Sequence, residues 1–452
     1  MKALFGTDGI RGEAGRFPLD ASTVNIIGFS LARYLRDSLK AAPKIIIGRD
    51  TRESGEWIEQ ALIAGANNAG AECHSAGVIT TPGVAFLTRR LAADAGVVIS
   101  ASHNPYQDNG IKIFSPSGRK LEDSVERLIE ADIVARIETT KSKAADRTFA
   151  PLGDEASLLD RYLNFLIEEI GKDFCLKSLK IVVDCANGAC SKLAPALFER
   201  LGATVVPINC EPDGRNINLN CGSLHIDGLR ERVKREQADL GVAFDGDADR
   251  SLFVDENGTY VDGDATLWVL ANHLRRTGQL NRDTVVSTVM SNIGLEIAFR
   301  STGVKLVRTD VGDKYVLEEL LRSETSLGGE QSGHIIMPEL SLAGDGMITA
   351  LCLLRALRES DQTLSQATSG FRTYPQILVN VRVREKTSFS DLRSVRVAVD
   401  QVEHKLANRG RLLLRYSGTE PLARVMIEGE DQKQIESYAN QIAEAIRQEI
   451  GV

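Results

Sequence analysis

The fold is decided by the stretch Lys44-Ile45-Ile46-Ile47-Gly48-Arg49-Asp50, a β-branched strand that ends in a polar loop. A helical stretch follows it, and Ala69-Gly70-Ala71-Glu72 then opens a second strand. The same order of features returns in Ile181-Val182-Val183-Asp184 with Leu201-Gly202-Ala203-Thr204-Val205, and in Thr284-Val285-Val286-Ser287 with Thr302-Gly303-Val304-Lys305-Leu306. Continuous apolar strands that alternate with helices are typical of parallel sheets covered on both faces. The sequence therefore predicts three tandem, similar α/β domains with mainly parallel mixed sheets.

The last part of the chain has a different pattern. From about Tyr374, short alternating strands such as Ile377-Leu378-Val379-Asn380-Val381-Arg382-Val383 surround a helix, and an amphipathic helix begins near Gln432. This pattern predicts a C-terminal α+β domain with an antiparallel sheet. We expect domains over residues 1–150, 151–256, 257–370 and 371–452, with boundaries around Lys141 to Pro151, Glu256 to Gly258 and Ser369 to Thr373. None of these boundaries is a long flexible linker, so the domains are expected to pack around a central cleft.

Composition excludes several classes of function. The 452 residues carry a net charge of −8 with acids and bases interspersed, which argues against a nucleic-acid or anionic membrane surface. No apolar run approaches the length of a membrane-spanning helix, and Asp8 and Arg11 interrupt any signal peptide. We therefore expect a cytoplasmic enzyme. The seven cysteines include no C-x-x-C pair and are interpreted as reduced core residues, not as a zinc site.

A second informative stretch is Val97-Val98-Ile99-Ser100-Ala101-Ser102-His103-Asn104-Pro105, where a strand runs directly into a serine-rich turn. The Asn-Pro pair prevents this turn from becoming helical, so the hydroxyl of Ser102 lies at a rigid strand end. A single serine usually only fills a turn, but His103 adds a polar group beside this one. Lys112 lies in the next predicted strand, where it can stabilise a phosphoryl group or take part in proton transfer. A solvated strand charge is the alternative for Lys112.

The segment Gly241-Val242-Ala243-Phe244-Asp245-Gly246-Asp247-Ala248-Asp249-Arg250 repeats this design with carboxylates in place of the hydroxyl. The three carboxylates are those of Asp245, Asp247 and Asp249. Together with Glu256 they match four ligand positions of an EF-hand, but Arg250 replaces the glycine that an EF-hand needs, and a strand precedes the loop. We predict a Mg²⁺ site in which a phosphoryl oxygen completes the coordination, with an acidic surface turn as the alternative.

Two further loops have the composition of ligand sites. Arg415-Tyr416-Ser417-Gly418-Thr419-Glu420-Pro421, with Arg424 just beyond it, offers guanidinium groups, hydroxyls and backbone amides to a phosphate. The candidate binding residues are Arg415, Ser417, Gly418, Thr419 and Arg424. An ordinary hairpin turn is the alternative interpretation.

The other loop, Gly328-Gly329-Glu330-Gln331-Ser332-Gly333-His334, is bounded by glycines. If it is extended, Glu330, Ser332 and His334 face the same way and can hold sugar hydroxyls or an amine. His334 can equally be an ordinary loop histidine. Near the N-terminus, Phe5-Gly6-Thr7-Asp8-Gly9-Ile10-Arg11-Gly12 places Arg11 where it can reach a transferring phosphoryl group, although such a segment usually forms only a tight turn.

Taken jointly, these five motifs resemble the α-D-phosphohexomutases, and they follow that family's order from Gly6 to Arg424. The closest resemblance is to the bacterial branch that acts on glucosamine phosphates. It rests on the N-terminal motif, on the loop around Glu330 and on the loop after Arg415. The resemblance implies four domains around a central cleft, with Ser102 carried as a phosphoserine. It also implies that Ser102, through this phosphate, shares a Mg²⁺ with Asp245, Asp247 and Asp249, and that Arg11 and Lys112 act near the reactive phosphoryl group. His103, as the polar neighbour of Ser102, is the further catalytic candidate.

The resemblance further implies the reaction. Phosphoserine 102 gives its phosphoryl group to the anomeric hydroxyl of glucosamine 6-phosphate, the 1,6-bisphosphate turns over, and Ser102 takes back the other phosphate to release glucosamine 1-phosphate. Such an isomerase feeds amino-sugar nucleotide synthesis, binds a small phosphosugar, and in its relatives forms a homodimer. The choice of an amino sugar rests mainly on Gln331 beside Glu330, whose carboxylate can pair with a sugar ammonium.

The chain departs from related phosphomannomutases and phosphoglucomutases at Asp313, where those enzymes have a histidine. The identity of the general acid or base therefore stays open. Three alternatives also stay open: a phosphomannomutase or phosphoglucomutase, a hydrolase with the same serine and metal, and a catalytically silent sugar-phosphate sensor.

Overall fold

The computed structural model of the chain describes residues 4–6, 8–139, 155–417 and 420–452. These residues form two compact units: one lies within residues 1–289 and 307–368, and the other comprises residues 290–306 and 369–452. The boundary predicted around Lys141 to Pro151 lies outside the described residues, as do Thr7, Gly418 and Thr419.

The first repeat forms a six-stranded mixed sheet. Its elements are β1 (Phe5–Gly6), β2 (Gly9–Glu13), α1 (Ala21–Leu39), β3 (Lys44–Arg49), α2 (Gly55–Asn68), β4 (Glu72–Val78), α3 (Thr81–Arg90), β5 (Ala95–Ile99), β6 (Asp108–Phe114) and α4 (Asp123–Thr139). The strand order is β1-β2-β6-β5-β3-β4, and β3 is parallel to both β4 and β5. The sheet buries β-branched side chains such as Ile45, Ile47, Val97 and Ile99, because strands covered on both faces need apolar residues at successive positions. Strand β6, predicted around Lys112, already begins at Asp108.

The second repeat uses the same plan. Its elements are α5 (Glu155–Phe165), which continues into a π-helical turn, β7 (Lys180–Asp184), α6 (Leu193–Arg200), β8 (Thr204–Ile208), α7 (Asp227–Glu236), β9 (Leu240–Phe244), β10 (Ser251–Asp255) and β11 (Tyr260–Val261). Its five strands are ordered β11-β10-β9-β7-β8, with β7 parallel to β8 and β9 and with β10 antiparallel to β9.

The third repeat completes the pattern. Its elements are α8 (Gly263–Arg276), β12 (Thr284–Thr288), α9 (Ile293–Thr302), β13 (Lys305–Thr309), α10 (Asp313–Ser323), β14 (Gly328–Gly329), β15 (Ile335–Ile336), α11 (Gly346–Ser360) and α12 (Leu364–Thr368). The order β15-β14-β12-β13 matches β10-β9-β7-β8 and β6-β5-β3-β4. The internal repeat predicted from the sequence is therefore confirmed.

The second unit contains the C-terminal domain. The strands and helices of this domain are β16 (Gln376–Arg382), α13 (Arg393–Leu406), β17 (Gly410–Tyr416), β18 (Leu422–Gly429) and α14 (Gln432–Ile450). The three strands form an antiparallel sheet in the order β16-β18-β17, packed through an apolar core that includes Val395, Ile427 and Ile442. The predicted α+β architecture is confirmed. Residues 290–306, with α9, pack with this domain, and the buried Glu428 accepts a hydrogen bond from the backbone amide of Ile293 at 3.1 Å.

None of the seven cysteines forms a disulfide bond in the structure. Cys73, Cys185, Cys190 and Cys221 are buried, as expected of core thiols. Cys175 is exposed, so its assignment to the core was wrong. Among the described residues, no helix combines the length and the apolar character needed to cross a membrane.

Candidate active site

The three repeated sheets place three loops at equivalent positions, where β5, β9 and β14 are joined to the antiparallel strands β6, β10 and β15. These loops span residues 100–107, 245–250 and 330–334. These loops contact one another. Ser102 of the first loop donates a hydrogen bond to Asp245 of the second, and Asp249 of the second lies beside His334 of the third. The predicted nucleophile, metal and sugar loops thus come together within the first unit.

Ser102 is held at the end of β5 with its side chain directed at the aspartate loop. Its Oγ donates to Oδ2 of Asp245 at 2.6 Å and lies 3.4 Å from Nδ1 of His103. The residue is only 2% exposed and has φ +52°, in the left-handed region that a non-glycine residue seldom adopts. Strain of this kind is typical of functional turns that the surrounding structure holds in place. Burial and the nearby guanidinium of Arg250 lower the pKa of His103.

The three aspartates form a buried cluster whose nearest oxygens all lie within 4.8 Å of one another. Strands β9 and β10 flank this loop, which confirms that it is no EF-hand. Among the described residues, Oδ1 of Asp247 and Oδ1 of Asp249 have no hydrogen-bond partner although both atoms are buried. Hard carboxylate oxygens that converge without partners fit a divalent cation such as Mg²⁺.

Lys112 on β6 and Arg11 on β2 approach these loops from the sheet itself. Lys112 Nζ lies 2.9 Å from Oδ2 of Asp247 and 3.2 Å from Oδ2 of Asp8. Burial alone would lower the pKa of Lys112, but these carboxylates outweigh it and raise that pKa well above its usual value. Arg11 pairs with Asp8 and donates from Nη1 to the carbonyl oxygen of Ala101 at 3.3 Å. Lys112 is therefore no solvated strand charge.

The loop around Glu330 is a tight hairpin turn, so the condition under which Glu330, Ser332 and His334 would alternate on one face is not met. The amide of Glu330 donates to the carbonyl of His334 at 2.9 Å, and the amide of Gly333 donates to the carbonyl of Glu330 at 3.0 Å. The turn forms because Gly333 adopts φ +90°, which glycine tolerates without strain. The carboxylate of Glu330 accepts from the amide of Gly312 at 3.1 Å and from the hydroxyl of Ser332 at 3.2 Å.

The side chain of Gln331 contacts a helix cap and not the carboxylate of Glu330. Its Nε2 donates to Oδ2 of Asp262 at 3.2 Å, and Asp262 caps the N-terminus of α8. The amide of Gln331 therefore fixes the loop to a helix, and this contact gives no support to a role in sugar recognition.

His334 lies between two carboxylates. Its Nδ1 is 3.6 Å from Oδ2 of Asp249, and its Nε2 is 3.7 Å from Oδ2 of Asp313. Burial lowers the pKa of His334, but these carboxylates outweigh it and raise the pKa to about 9. Asp313 also accepts from Nζ of Lys120 at 2.7 Å, and the same ammonium lies 2.6 Å from Oδ1 of Asp8. The carboxylate of Asp313 is thus already ion-paired.

The predicted phosphate loop lies in the second unit, between β17 and β18. Arg415 and Arg424 are directly opposite each other in the antiparallel pair, so both side chains stand on one face of the sheet. Arg424 Nη2 lies 3.4 Å from Oγ of Ser417, which is 3% exposed. Two guanidinium groups at facing positions favour a nearby anion, and the carboxylate of Glu420 lies 3.3 Å from Nη2 of Arg424. Gly418 and Thr419, the remaining candidates, lie outside the described residues.

The sequence interpretation missed several residues at the site. They are Thr81, whose Oγ1 donates to Asp247 at 2.6 Å, Lys120, Asp8 and the buried pair of Arg52 and Asn218 below the serine loop. Thr81 could have been found from the sequence, because it follows β4 and residues after parallel strands meet at one edge of the sheet. Lys120 and Asn218 reach the site from irregular segments that no sequence period marks.

Four models of phosphoglucomutase/phosphomannomutase domains match the chain. They are alpha/beta/alpha domain I over residues 2–140, domain II over 160–258, domain III over 262–374 and the C-terminal domain over 378–445. The chain belongs to the phosphoglucomutase/phosphomannomutase family.

Curated relatives named phosphoglucosamine mutase match over the full length. The protein from Solibacter usitatus is 51% identical, covering 100% of this chain and 99% of its own length. The protein from Citrifermentans bemidjiense is 46% identical with the same coverage. Among solved structures, a phosphoglucomutase/phosphomannomutase family protein from Burkholderia thailandensis covers 100% of both chains with a TM-score of 0.79 at 22% identity, which shows the shared fold. The resemblance to phosphohexomutases that act on glucosamine phosphates is confirmed.

Proposed function

We propose that this phosphohexomutase interconverts glucosamine 6-phosphate and glucosamine 1-phosphate, with Ser102 as the carrier of the transferred phosphoryl group. The observation that carries the proposal is the 2.6 Å contact between Ser102 Oγ and Asp245, at a cluster of carboxylates with unpartnered buried oxygens. A hydroxyl beside a cation site is the arrangement that phosphoryl transfer needs, because little else is required than positioning and charge stabilisation.

Asp245, Asp247 and Asp249 would hold the metal, together with an oxygen of the phosphate on Ser102. Their donor set suits Mg²⁺, which prefers hard oxygen ligands and accepts a few carboxylates plus a phosphate. A bound Mg²⁺ supplies positive charge against the phosphoryl oxygens. Lys112, held within 3.2 Å of Asp247 and Asp8, adds a buried cation on the same side.

In the first step, the bond between Ser102 Oγ and phosphorus breaks as O1 of glucosamine 6-phosphate bonds to phosphorus, which gives the 1,6-bisphosphate. Arg11 and Lys112 stabilise the charge on the transferring group, and His103, 3.4 Å from Ser102 Oγ, is the candidate for receiving the O1 proton. The intermediate then turns over. Transfer of its 6-phosphoryl group to Ser102 Oγ releases glucosamine 1-phosphate and restores the phosphoenzyme.

The cycle also needs groups that hold the sugar and the phosphate that is not reacting. Glu330, Ser332 and His334 are proposed to bind the sugar, with the Glu330 carboxylate available to a 2-ammonium group. Arg415, Ser417, Gly418, Thr419 and Arg424 are proposed to bind the second phosphate. The facing guanidinium groups of Arg415 and Arg424 support this role, since an anion relieves their repulsion.

Substitution of Ser102 by alanine tests the proposal. Because the covalent carrier is lost, turnover should fall by about a thousandfold or more. Intact mass measurement after incubation with a hexose 1,6-bisphosphate should show one added phosphoryl group on the unsubstituted chain and none on Ser102→Ala. Near-normal turnover by the variant would rule out Ser102 as the carrier.

A further inference from the structure

The loop that carries Ser102 is held by a buried arginine that follows β3 of the same sheet. Arg52, just beyond β3, has a fully buried side chain. Its Nη2 donates to the carbonyl oxygens of Ser102 and Asn104, both at 2.9 Å, and its Nη1 donates to that of Pro105 at 2.5 Å. Its Nε lies 2.9 Å from Oδ2 of Asp50. Three of the five N–H groups of the guanidinium therefore bind this one loop, and a fourth holds the guanidinium on Asp50.

A second side chain from the next repeat reaches the same carbonyls. Nδ2 of Asn218 donates to the carbonyl oxygen of Ser102 at 2.9 Å and to that of Asn104 at 3.1 Å. Asn218 is itself buried and has φ +59°. The two carbonyl groups are thus shared by donors from two different repeats, which is more than the usual requirement of one partner for a buried carbonyl.

This convergence fixes where the amide groups of the loop are directed. In a planar trans peptide the N–H points opposite to the C=O, so a Ser102 carbonyl bound from below directs the amide of His103 away from Arg52. The amide of Ser102 donates to Oγ of Ser100 at 2.9 Å, and Ser100 in turn donates to Asp50 at 2.6 Å. The left-handed Ser102 is thus fixed on both sides, with its amide bound to Ser100 and its carbonyl bound to Arg52 and Asn218.

We infer that Arg52 and Asn218 are positioning residues for phosphoryl transfer: they turn the loop carbonyls away from the phosphoryl group and hold Ser102 in its left-handed, reactive conformation. The inference rests on the proposed function of Ser102. Neither side chain touches the substrate in this account, and the ion pair with Asp50 cancels the net charge of Arg52. Their contribution is therefore geometric, and we expect their loss to lower kcat more than it changes KM.

Substitutions at Asn218 test the inference with little risk to the fold. Asn218→Gly keeps the positive φ but removes the donor, whereas Asn218→Asp is of the same shape and turns the donor into an acceptor facing two carbonyl oxygens. We expect kcat to fall by about tenfold to a hundredfold in Asn218→Gly, and further in Asn218→Asp, with KM within about twofold of the unsubstituted value. Arg52→Lys, which keeps the charge but loses the planar fork, should show the same split between kcat and KM.

Thr51→Val is the matched control. Thr51 donates from Oγ1 to the carbonyl of Asn187 at 2.6 Å, so this variant also loses one hydrogen bond between the first two repeats but does not touch the serine loop. It should keep kcat within about twofold. The ³¹P chemical shift of phosphoserine 102 should move in the Asn218 variants and not in Thr51→Val.

Unchanged kcat and an unchanged phosphoserine resonance in both Asn218 variants would overturn the inference. An equal loss in Thr51→Val would do the same, because the effect would then belong to the contact between the repeats. Failure of the proposed function would look different, since the unsubstituted enzyme itself would form no glucosamine 1-phosphate.

Discussion

At the scale of single residues, the environment shifts the pKa values of two carboxylates in the aspartate loop in opposite directions. Burial, together with the neighbouring charges of Asp249 and Asp247, raises the pKa of Asp245 well above its usual value. Burial also acts to raise the pKa of Asp249, but Lys112 and His334 outweigh it and lower that pKa. A cation at this cluster should lower the pKa of Asp245, and because it binds only the folded chain it should stabilise that state.

Removal of divalent metal should abolish turnover, and added Mg²⁺ should restore it. Mg²⁺ should also raise the melting temperature of the unsubstituted protein, because a ligand that binds only the folded state stabilises it. Asp247→Asn should lose most of this increase. Asp255→Asn is the control, since Asp255 lies at the other end of β10 and its Oδ1 acceptor is kept. An equal Mg²⁺ effect in both variants, or activity that survives thorough chelation, would contradict the proposed metal site.

Asp345 should make stability depend on pH. It caps α11 and accepts from the hydroxyl of the buried Tyr162 at 2.7 Å, and burial raises its pKa to about 6 from the unfolded value of 3.8. Between these values the folded chain holds a proton that the unfolded chain has lost, so this stabilising contribution falls as the pH rises towards about 6. Relative to Asp345→Asn, the unsubstituted protein should lose up to about 3 kcal/mol of unfolding free energy between pH 4 and pH 7.

Denaturant unfolding at several pH values measures this difference. Asp431→Asn, at the exposed cap of α14, is the control and should follow the unsubstituted protein across the range. A constant difference between Asp345→Asn and the unsubstituted protein would contradict the assignment.

Some of these residues could be found from the sequence and others could not. Ser102 and the aspartates stand directly after apolar strands, so local pattern is sufficient to single them out. The pairing of Lys120 with Asp313 joins residues 193 positions apart from two different repeats, and only the packing of the repeats brings them together. The role suggested for Gln331 stays a prediction. Its side chain contacts Asp262, which belongs to a helix cap that the loop sequence does not reveal.

At the scale of elements, the repeated strand order explains why three unrelated loop sequences meet. Strands β5, β9 and β14 have equivalent places in the order of their sheets. The serine, the three aspartates and the polar hairpin that follow them therefore occupy equivalent positions. The strands themselves could be predicted from their continuous apolar residues. The hairpin at 330–334 could not, because β14 and β15 have only two residues each and give no period to detect.

The facing arginines of β17 and β18 should bind phosphate. Arg424→Gln should raise KM by about tenfold, since a charge-assisted hydrogen bond to the second phosphate is lost. It should leave the melting temperature nearly unchanged, because the variant removes both the repulsion from Arg415 and the ion pair of Arg424 with Glu420 at 3.3 Å. Arg382→Gln, on the edge strand β16 opposite Leu422, is the control and should leave KM unchanged. A KM equal in both variants would exclude Arg424 from phosphate binding.

At the scale of the whole molecule, three α/β repeats and an α+β domain were predictable, because each repeat has its own strand period and glycine-marked turn. The compact units were not, since residues 290–306 pack with the C-terminal domain through contacts such as Asn292 with Tyr374 at 3.0 Å. The division into domains over 1–150, 151–256, 257–370 and 371–452 stays a prediction. So does a homodimer, because apolar helix faces suit cores and interfaces alike.

The central claim is that Ser102 carries a phosphoryl group between the two positions of glucosamine phosphate. Phosphorus NMR of the purified protein tests it most directly, with Mg²⁺, glucosamine 6-phosphate and a trace of a hexose 1,6-bisphosphate that primes Ser102. A glucosamine 1-phosphate resonance should appear while inorganic phosphate does not. Release of inorganic phosphate alone would indicate a hydrolase and contradict the claim. Interconversion of glucose or mannose phosphates without glucosamine 1-phosphate would contradict the proposed substrate.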